Sequence, residues 1–366
     1  MTENENSKKE LEKYRIEIDN VDTNIINLLN KRAEIVLKVG EIKKNLKFDV
    51  YQPKREAEVI KKMKEKSTIL NPSSVEIIWK EIMGACKIIQ GNIIKVGYLG
   101  PVGTFTHQAA LEFFTKTDSE FVDCKNVLEI FENIEKDILD FGVIAIENSL
   151  QGTVRDTLDL LIEKDLFIYG EIELRIIQNL ISLDGSDLSK IEVIHSHPQA
   201  LAQSKNWIKT NIPKAELVNT NSTAEAILKV KNLDNPKHAA IGTEFASQKY
   251  GLKIISSKIE DNPSNITRFL IISKRENPLK EGKMKTSLLY VVKHVPGALY
   301  QVLRFFSEAN INLLKIESRP RRKGKWEYIF LMDFEGDKDD SKIKKVLDLM
   351  NQNVIWYKIL GSYPYI

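Results

Sequence analysis

The sequence predicts a multidomain chain built from three unlike folds: an all-α segment, a two-lobed α/β segment and a small α+β segment. Three observations carry this. Up to about Gly91 the apolar residues recur only at helical spacing. From Ile93 to about Lys274 short apolar strands alternate with helices. After a polar linker holding Pro278 and Gly282, the order becomes strand, helix, strand, strand, helix, strand. A length of 366 residues suits two or three domains. The expected boundaries are 1–92, 93–276 and 283–366.

The first segment reads as helices over 11–45, 54–67 and 72–90. Pro53 and Pro72 sit at helix starts, where a missing amide hydrogen costs nothing. In the second segment IIKVGYLG, FGVIAIEN, IEVIHSH, HAAIGT and RFLIIS read as strands, and mainly parallel sheets are expected. The third gives strands over 287–293, 311–318, 326–334 and 354–361, with helices over 297–309 and 340–351, a ferredoxin-like order.

A hydrophobic fraction of 42% and a charged fraction of 29% are ordinary for a globular protein. A net charge of only +3 implies no broad field for nucleic acid. Lys61, Lys62, Lys64 and Lys66 read as a solvated helix face. Cys86 and Cys124 make neither a disulfide framework nor a zinc pattern, which suits a reducing cytoplasm. The start MTENENSKKE has no apolar signal core, and no run approaches the roughly 20 apolar residues of a membrane helix. His195 and His197 alternate at a strand end without an obvious third ligand, so no metal is expected.

The first segment departs from a plain amphipathic bundle. Ile18, Val21, Ile25, Leu28, Val36 and Val39 form the stripe of the long helix expected to face the core. At about 100° per residue, Arg32 and Lys43 fall in the middle of that stripe, and Arg15 projects to one flank. Arg55 and Glu56 open the second helix, and Glu56 shares a face with Ile60 and Met63. Cys86 and Gln90 share a face with Ile82 on the third. Buried cations are costly unless an anion meets them. Taken singly, these residues read as surface ion pairs on a helical dimerisation module. Taken together, they suit a small dianion bearing a hydroxyl and a neutral acceptor oxygen.

In the second segment several strand-to-helix turns carry hydroxyls, amides and glycines. Gly100-Pro101-Val102-Gly103-Thr104-Phe105-Thr106 follows one strand, Glu147-Asn148-Ser149 another, and Ser222-Thr223 follows Asn219. Exposed helix N-termini with hydroxyl neighbours are anion sites, although helix capping explains each hydroxyl singly. Neither a GxGxxG fingerprint nor a GK[ST] phosphate loop is present.

Arg15, Arg32, Lys43, Arg55-Glu56 and Gln90 form a pattern that resembles the all-helical chorismate mutases. That resemblance implies a helical dimer in which Arg15 serves the partner's site. Arg32 and Arg55 would grip two carboxylates, Lys43 and Gln90 would donate to the ether oxygen, and Glu56 would hold the ring hydroxyl. Gln52 stands where an acidic residue is usual and Cys86 where serine is frequent; both look like substrate contacts. GPVGTFTHQAA, IENSLQGTV, SHPQALAQ and NPSNITRF resemble the signature segments of prephenate dehydratases. The match implies two lobes of the periplasmic-binding-protein kind and a catalytic hydroxyl on Thr267. Arg268 would bind a carboxylate, Phe269 would shape the pocket, and Thr104, Asn148 and Ser149 would contact substrate. Ala145 replaces a common proline and Ser204 a common cysteine.

Gly297-Ala298-Leu299 and Glu317-Ser318-Arg319-Pro320 resemble the phenylalanine-binding segments of regulatory ACT domains. Such domains pair side by side and bind an amino acid at the interface. The order mutase, dehydratase, regulator covers nearly the whole chain. It implies chorismate, prephenate and L-phenylalanine as ligands, no cofactor, and a homodimer or homotetramer with no nucleic-acid or membrane partner. Two other readings stay open: a two-lobed solute-binding protein, against which the missing signal core speaks, and an inactive helical module.

Overall fold

The computed structural model describes residues 3–46, 53–91, 93–320 and 328–365. The chain forms two compact units, Met1–Ile93 with Thr115–Ser119, and Ile94–Phe114 with Glu120–Ile366.

The first unit holds α1 (Glu3–Leu46), α2 (Pro53–Lys66) and α3 (Pro72–Ile89), as the proline positions predict. Asn71 caps α3, its side-chain oxygen accepting from Ser74 N at 2.7 Å. Both α1 and α2 pack against α3. The face of α1 turned to α3 is Leu29, Arg32, Ala33, Val36 and Gly40, all half-buried. This corrects the expected core stripe: Ile18, Val21, Ile25 and Leu28 are 57%, 56%, 48% and 68% exposed in the single chain. Residues 7–28 of α1 are all exposed in the single chain. Lys64, expected on a solvated face, instead pairs with Glu76 at 2.5 Å.

The second unit begins with two α/β lobes. Chain order is β1 (Ile94–Leu99), α4 (Phe105–Phe113), β2 (Ser119–Cys124), α5 (Val127–Glu135), β3 (Phe141–Asn148), β4 (Gly152–Thr153), α6 (Arg155–Glu163) and β5 (Phe167–Arg175). Then follow β6 (Asn179–Ser182), β7 (Val193–Ser196), α7 (Pro198–Gln203), α8 (Lys205–Asn211), β8 (Glu216–Asn219), α9 (Thr223–Leu233), β9 (His238–Gly242), α10 (Glu244–Tyr250), β10 (Lys253–Ser256) and β11 (Ile266–Ser273). The first lobe's sheet runs β2-β1-β3-β11-β5, with β4 on β3; the second runs β10-β6-β9-β7-β8.

The expectation of mainly parallel sheets is corrected. β1–β3, β7–β8 and β7–β9 are parallel, but β11 lies antiparallel to both β3 and β5, and β6 antiparallel to β9 and β10. The chain leaves the first lobe after β5 and returns at β11, so the returning strand enters between its neighbours reversed. Helix starts follow sequence rules. Ser222 caps α9, accepting from Glu225 N at 3.0 Å, while the Glu225 carboxylate accepts from Asn221 N, just before the cap, at 3.0 Å.

The C-terminal part is β12 (Met284–Val292), α11 (Ala298–Glu308), β13 (Leu313–Pro320), β14 (Tyr328–Glu335), α12 (Ser341–Asn353) and β15 (Val354–Pro364). Its antiparallel sheet runs β13-β14-β12-β15, the split βαββαβ arrangement the pattern predicts. β12 is apolar along most of its length because both faces are covered. Leu288 and Tyr290 pack with Phe306 and Met350 of the helices, whereas Leu289 and Val291 join Ile168, Leu270 and Ile272 of the first lobe in one core. The C-terminal sheet is thus packed face-on against the first lobe.

Candidate functional site

In the helical unit two sequence-predicted residues meet directly. Arg32 Nη1 donates to Cys86 Sγ at 2.6 Å. One helical turn further along α3, Gln90 Nε2 donates to Val36 O at 2.7 Å. Gly40 makes room for this: a Cβ there would sit 3.0 Å from Gln90 Nε2. Glu56 faces the same interior as Ile60 and Met63, all half-buried, and pairs with Lys87 at 2.8 Å. Lys87, which also pairs with Asp118 at 2.7 Å, was not legible as a partner from its spacing. Arg15 and Arg55 do not join the cluster in a single chain. They are exposed and pair with Glu12 at 3.5 Å and Glu58 at 3.0 Å on their own helices. Gln52 and the side chain of Lys43 lie outside the described residues.

The second candidate site is a cavity of about 440 Å³ between the two lobes. The first lobe contributes Thr104, Thr106, Asn148, Gln151, Thr267 and Phe269; the second contributes Gln178, His197, Gln203, Asn221 and Ser222. Among the described residues that line it there is no lysine, arginine, aspartate or glutamate. The loop before α4 is held across the lobes: Thr243 Oγ1 donates to Gly103 O at 2.9 Å and Tyr250 OH to Val102 O at 2.9 Å. Gly103 has φ +100°, and a Cβ there would meet Ala246 at 2.8 Å, so only glycine lets α10 approach.

Thr267 is nearly buried at 8% exposure, and its hydroxyl orientation is set by a chain of hydrogen bonds. Asn148 Oδ1 accepts from Leu150 N at 3.1 Å and Gln151 N at 3.2 Å, which fixes the amide. Asn148 Nδ2 then donates to Asn265 Oδ1 at 2.7 Å and to Thr267 Oγ1 at 2.8 Å. Thr267 Oγ1 therefore serves Asn148 as an acceptor, and its own proton remains to be donated. His197 caps α7, its Nδ1 accepting from Gln199 N at 3.2 Å, so the neutral ring carries its proton on Nε2. Burial holds the His197 pKa below the ordinary histidine range.

Of the other expected dehydratase contacts, Thr104 lines the cavity, whereas Ser149 and Arg268 do not. Thr104 lines the cleft, but its hydroxyl is engaged, donating to Leu99 O at 2.8 Å and accepting from His107 N at 3.3 Å as the cap of α4. Ser149 does not line the cavity; its hydroxyl ties β3 to β11, donating to Ser264 O at 3.1 Å and accepting from Ile266 N at 3.0 Å. Arg268 does not line it either. Alternation along β11 puts Thr267 and Phe269 on the cleft side and Arg268 on the other. There its guanidinium meets Glu171 at 2.8 Å and Asp333 at 2.7 Å. The sequence signal for these partners was an acid placed between apolar residues of a strand, Glu171 in FIYGEIELR and Asp333 in YIFLMDFE.

In the C-terminal part the two expected regulatory segments are apart. Gly297, Ala298 and Leu299 line a cavity of about 590 Å³ with Tyr328 and Phe330. Glu317, Ser318, Arg319 and Pro320 line another of about 630 Å³ with Glu147 and Thr153. Arg319 is tied to Asp159 of α6 at 2.5 Å.

Fold and sites together define a chain with a helical mutase module, a two-lobed dehydratase module and an ACT module. Family models match in that order: chorismate mutase type II over residues 14–91, prephenate dehydratase over 96–277 and ACT domain over 286–348. The chain is 40% identical over 362 residues to the bifunctional chorismate mutase/prephenate dehydratase of Aquifex aeolicus (strain VF5), covering 97% of this chain and 98% of that relative. It belongs to the bifunctional chorismate mutase/prephenate dehydratase family, and both activities come with the two modules: chorismate to prephenate, then prephenate to phenylpyruvate. The solved prephenate dehydratase of Arthrobacter aurescens, in complex with L-Phe, is 32% identical with a TM-score of 0.69 over 74% of this chain and 90% of that one. A quorum-quenching acylase, GqqA, is 29% identical with a TM-score of 0.68 over 74% of this chain and 98% of that one.

Proposed function

We propose that the helical module binds chorismate between Arg32 and Arg55, with Lys43 and Gln90 at the ether oxygen and Glu56 at the ring hydroxyl. Cys86 and Gln52 border the ligand, and Arg15 enters the site of a second copy. The closeness of Arg32, Cys86 and Gln90 supports this assignment. The solvent-facing Arg15 and the uncovered apolar half of α1 support a paired assembly, as homodimer or homotetramer. The rearrangement is unimolecular and needs no nucleophile. Fixing the folded conformer and donating to the developing oxyanion must supply about 8 kcal/mol for a roughly millionfold acceleration.

In the dehydratase cleft Thr267 relays one solvent proton to the ring hydroxyl, giving up its own proton as it takes another from water, and the hydroxyl departs as water. The electrons of the breaking bond to carbon dioxide flow into the ring, which becomes aromatic, and phenylpyruvate remains. The observation that carries this assignment is the Asn148–Thr267 hydrogen bond of 2.8 Å inside a cavity with no charged lining residue. Hydroxyls, amides and the N-terminal amides of α4 and α9 meet the substrate's carboxylates. No formal cation holds the carboxylate that is lost, so dispersal of its charge is not opposed by a broken ion pair.

L-Phenylalanine is the inhibitor in this proposal, bound where Gly297–Leu299 of one copy meets Glu317–Pro320 of another. The separation of these segments within one chain supports a site shared between copies. The module boundaries 1–92, 93–276 and 283–366 and a cytoplasmic setting belong to the same proposal. Among the described residues no helix is long and apolar enough to cross a membrane. The test is an assay of the purified chain with chorismate, following prephenate and phenylpyruvate with and without phenylalanine. Failure of either product to form contradicts the assignment.

A further inference from the structure

The side of β11 that faces away from the cleft carries a buried charge cluster that the reaction itself does not use. Arg268 is only 11% exposed, and Nε donates to Glu171 Oε2 at 2.8 Å. Its Nη2 lies 2.7 Å from Asp333 Oδ2, and its Nη1 3.8 Å from Glu147 Oε2. Asp333, 1% exposed, stands on β14 of the C-terminal sheet, where Ser287 Oγ donates to its Oδ1 at 2.6 Å. Glu171 is shared: its other oxygen takes Lys285 Nζ of β12 at 2.5 Å. Glu147 takes Lys315 of β13 at 2.6 Å. Three cations thus meet three carboxylates, and each ion pair or its neighbour crosses from the first lobe to the C-terminal sheet.

We propose that Arg268 is a positioning residue for Thr267, clamped from behind by Glu171 and Asp333, so that the ACT sheet is a working part of the dehydratase site. The neighbours Thr267 and Arg268 share one peptide plane, so holding the guanidinium fixes the rotation of the strand. The register between β11 and β3 shifts at Arg268/Phe269, while the pairing of β11 with β5 runs unbroken through Thr267, Arg268 and Phe269, so the irregularity lies on the β3 side alone. On the β3 side the Arg268–Glu147 contact of 3.8 Å adds a side-chain tie next to that irregularity. Burial opposes the charge on Arg268, but Asp333, Tyr363 and Glu171 outweigh it and hold the guanidinium charged. A carboxylate removed from this cluster leaves an uncompensated cation beside Thr267.

The role matters only if Thr267 is the donor proposed above, and the variants separate the two ideas. In the full chain Asp333→Asn lowers dehydratase kcat by at least about tenfold. KM for prephenate stays within about twofold, and mutase activity is unchanged. Arg268→Gln behaves alike, Arg268→Lys recovers part of kcat, and the Asp333→Asn/Arg268→Gln double variant loses no more than the worse single one. If Asp333→Asn unfolds the chain, Ser287→Ala is measured instead, with a smaller fall in kcat expected. A rise in KM with kcat intact in Arg268→Gln, or a normal kcat in both Asp333→Asn and Ser287→Ala, overturns the clamp. Full dehydratase activity in Thr267→Ala overturns the donor assignment instead.

Discussion

Thr267 shows how much one hydroxyl's direction depends on its neighbours. Asn148 is held by two backbone amides, so it can only donate toward Thr267. Thr267→Ala is therefore expected to lower dehydratase kcat by about 10²–10⁴, the usual worth of a positioned proton donor, while Thr267→Ser keeps part of it. Steady-state assays with prephenate check this. His195 gives a second prediction at this scale. Burial, with Lys229 and His238 adding repulsion, pushes its pKa down to about 4 from 6.5. The unfolded chain takes up the proton first, so this histidine's contribution to stability is present above pH 6.5 and is lost as pH falls toward about 4. Denaturant titrations between those two pH values check it, and His195→Gln is expected to flatten the dependence. The motifs named Arg32, Cys86, Gln90, Asn148 and Thr267 as candidates, and the structure brings Arg32 to Cys86 and Asn148 to Thr267. That Arg268 faces away from the cleft was not legible, because a motif says which residue types adjoin but not which side of a strand each occupies.

At the scale of elements, the three helices and the βαββαβ order were legible because proline starts and apolar periodicity are local signals. The sheet directions were not. Short strands such as ELVN and KIIS carry little pattern, and a strand's direction depends on a return from another lobe that no local window contains. The apolar stripe of α1 was seen but assigned to the wrong neighbour, since periodicity identifies a face and not what covers it. Gly40 offers an element-scale test. Alanine favours the helix by about 1 kcal/mol over glycine, so Gly40→Ala is expected to leave stability unchanged or higher. The new Cβ displaces the Gln90 amide, and a displacement near 1 Å costs up to about a hundredfold in mutase rate. Thermal melts and chorismate assays together distinguish this from simple unfolding.

Across the whole molecule, the fold alone does not choose the chemistry, since a similar scaffold also occurs in an acylase. The choice comes from the side chains in the cleft. The proposed pairing with a second copy rests on α1, which leaves Ile18, Val21, Ile25 and Leu28 exposed in the single chain. Ile18→Glu with Ile25→Glu is expected to lower the assembly state by one step, dimer to monomer or tetramer to dimer, and to abolish mutase activity. Sedimentation velocity with parallel chorismate assays checks both. The central claim is that two independent sites on one chain catalyse consecutive steps, and one comparison tests it most directly. Both activities are measured in purified, folded Arg32→Ala and Thr267→Ala chains. The expected result is reciprocal: Arg32→Ala loses mutase turnover by about 10² or more and keeps dehydratase activity, and Thr267→Ala does the opposite. Loss of both activities in either folded variant would contradict it.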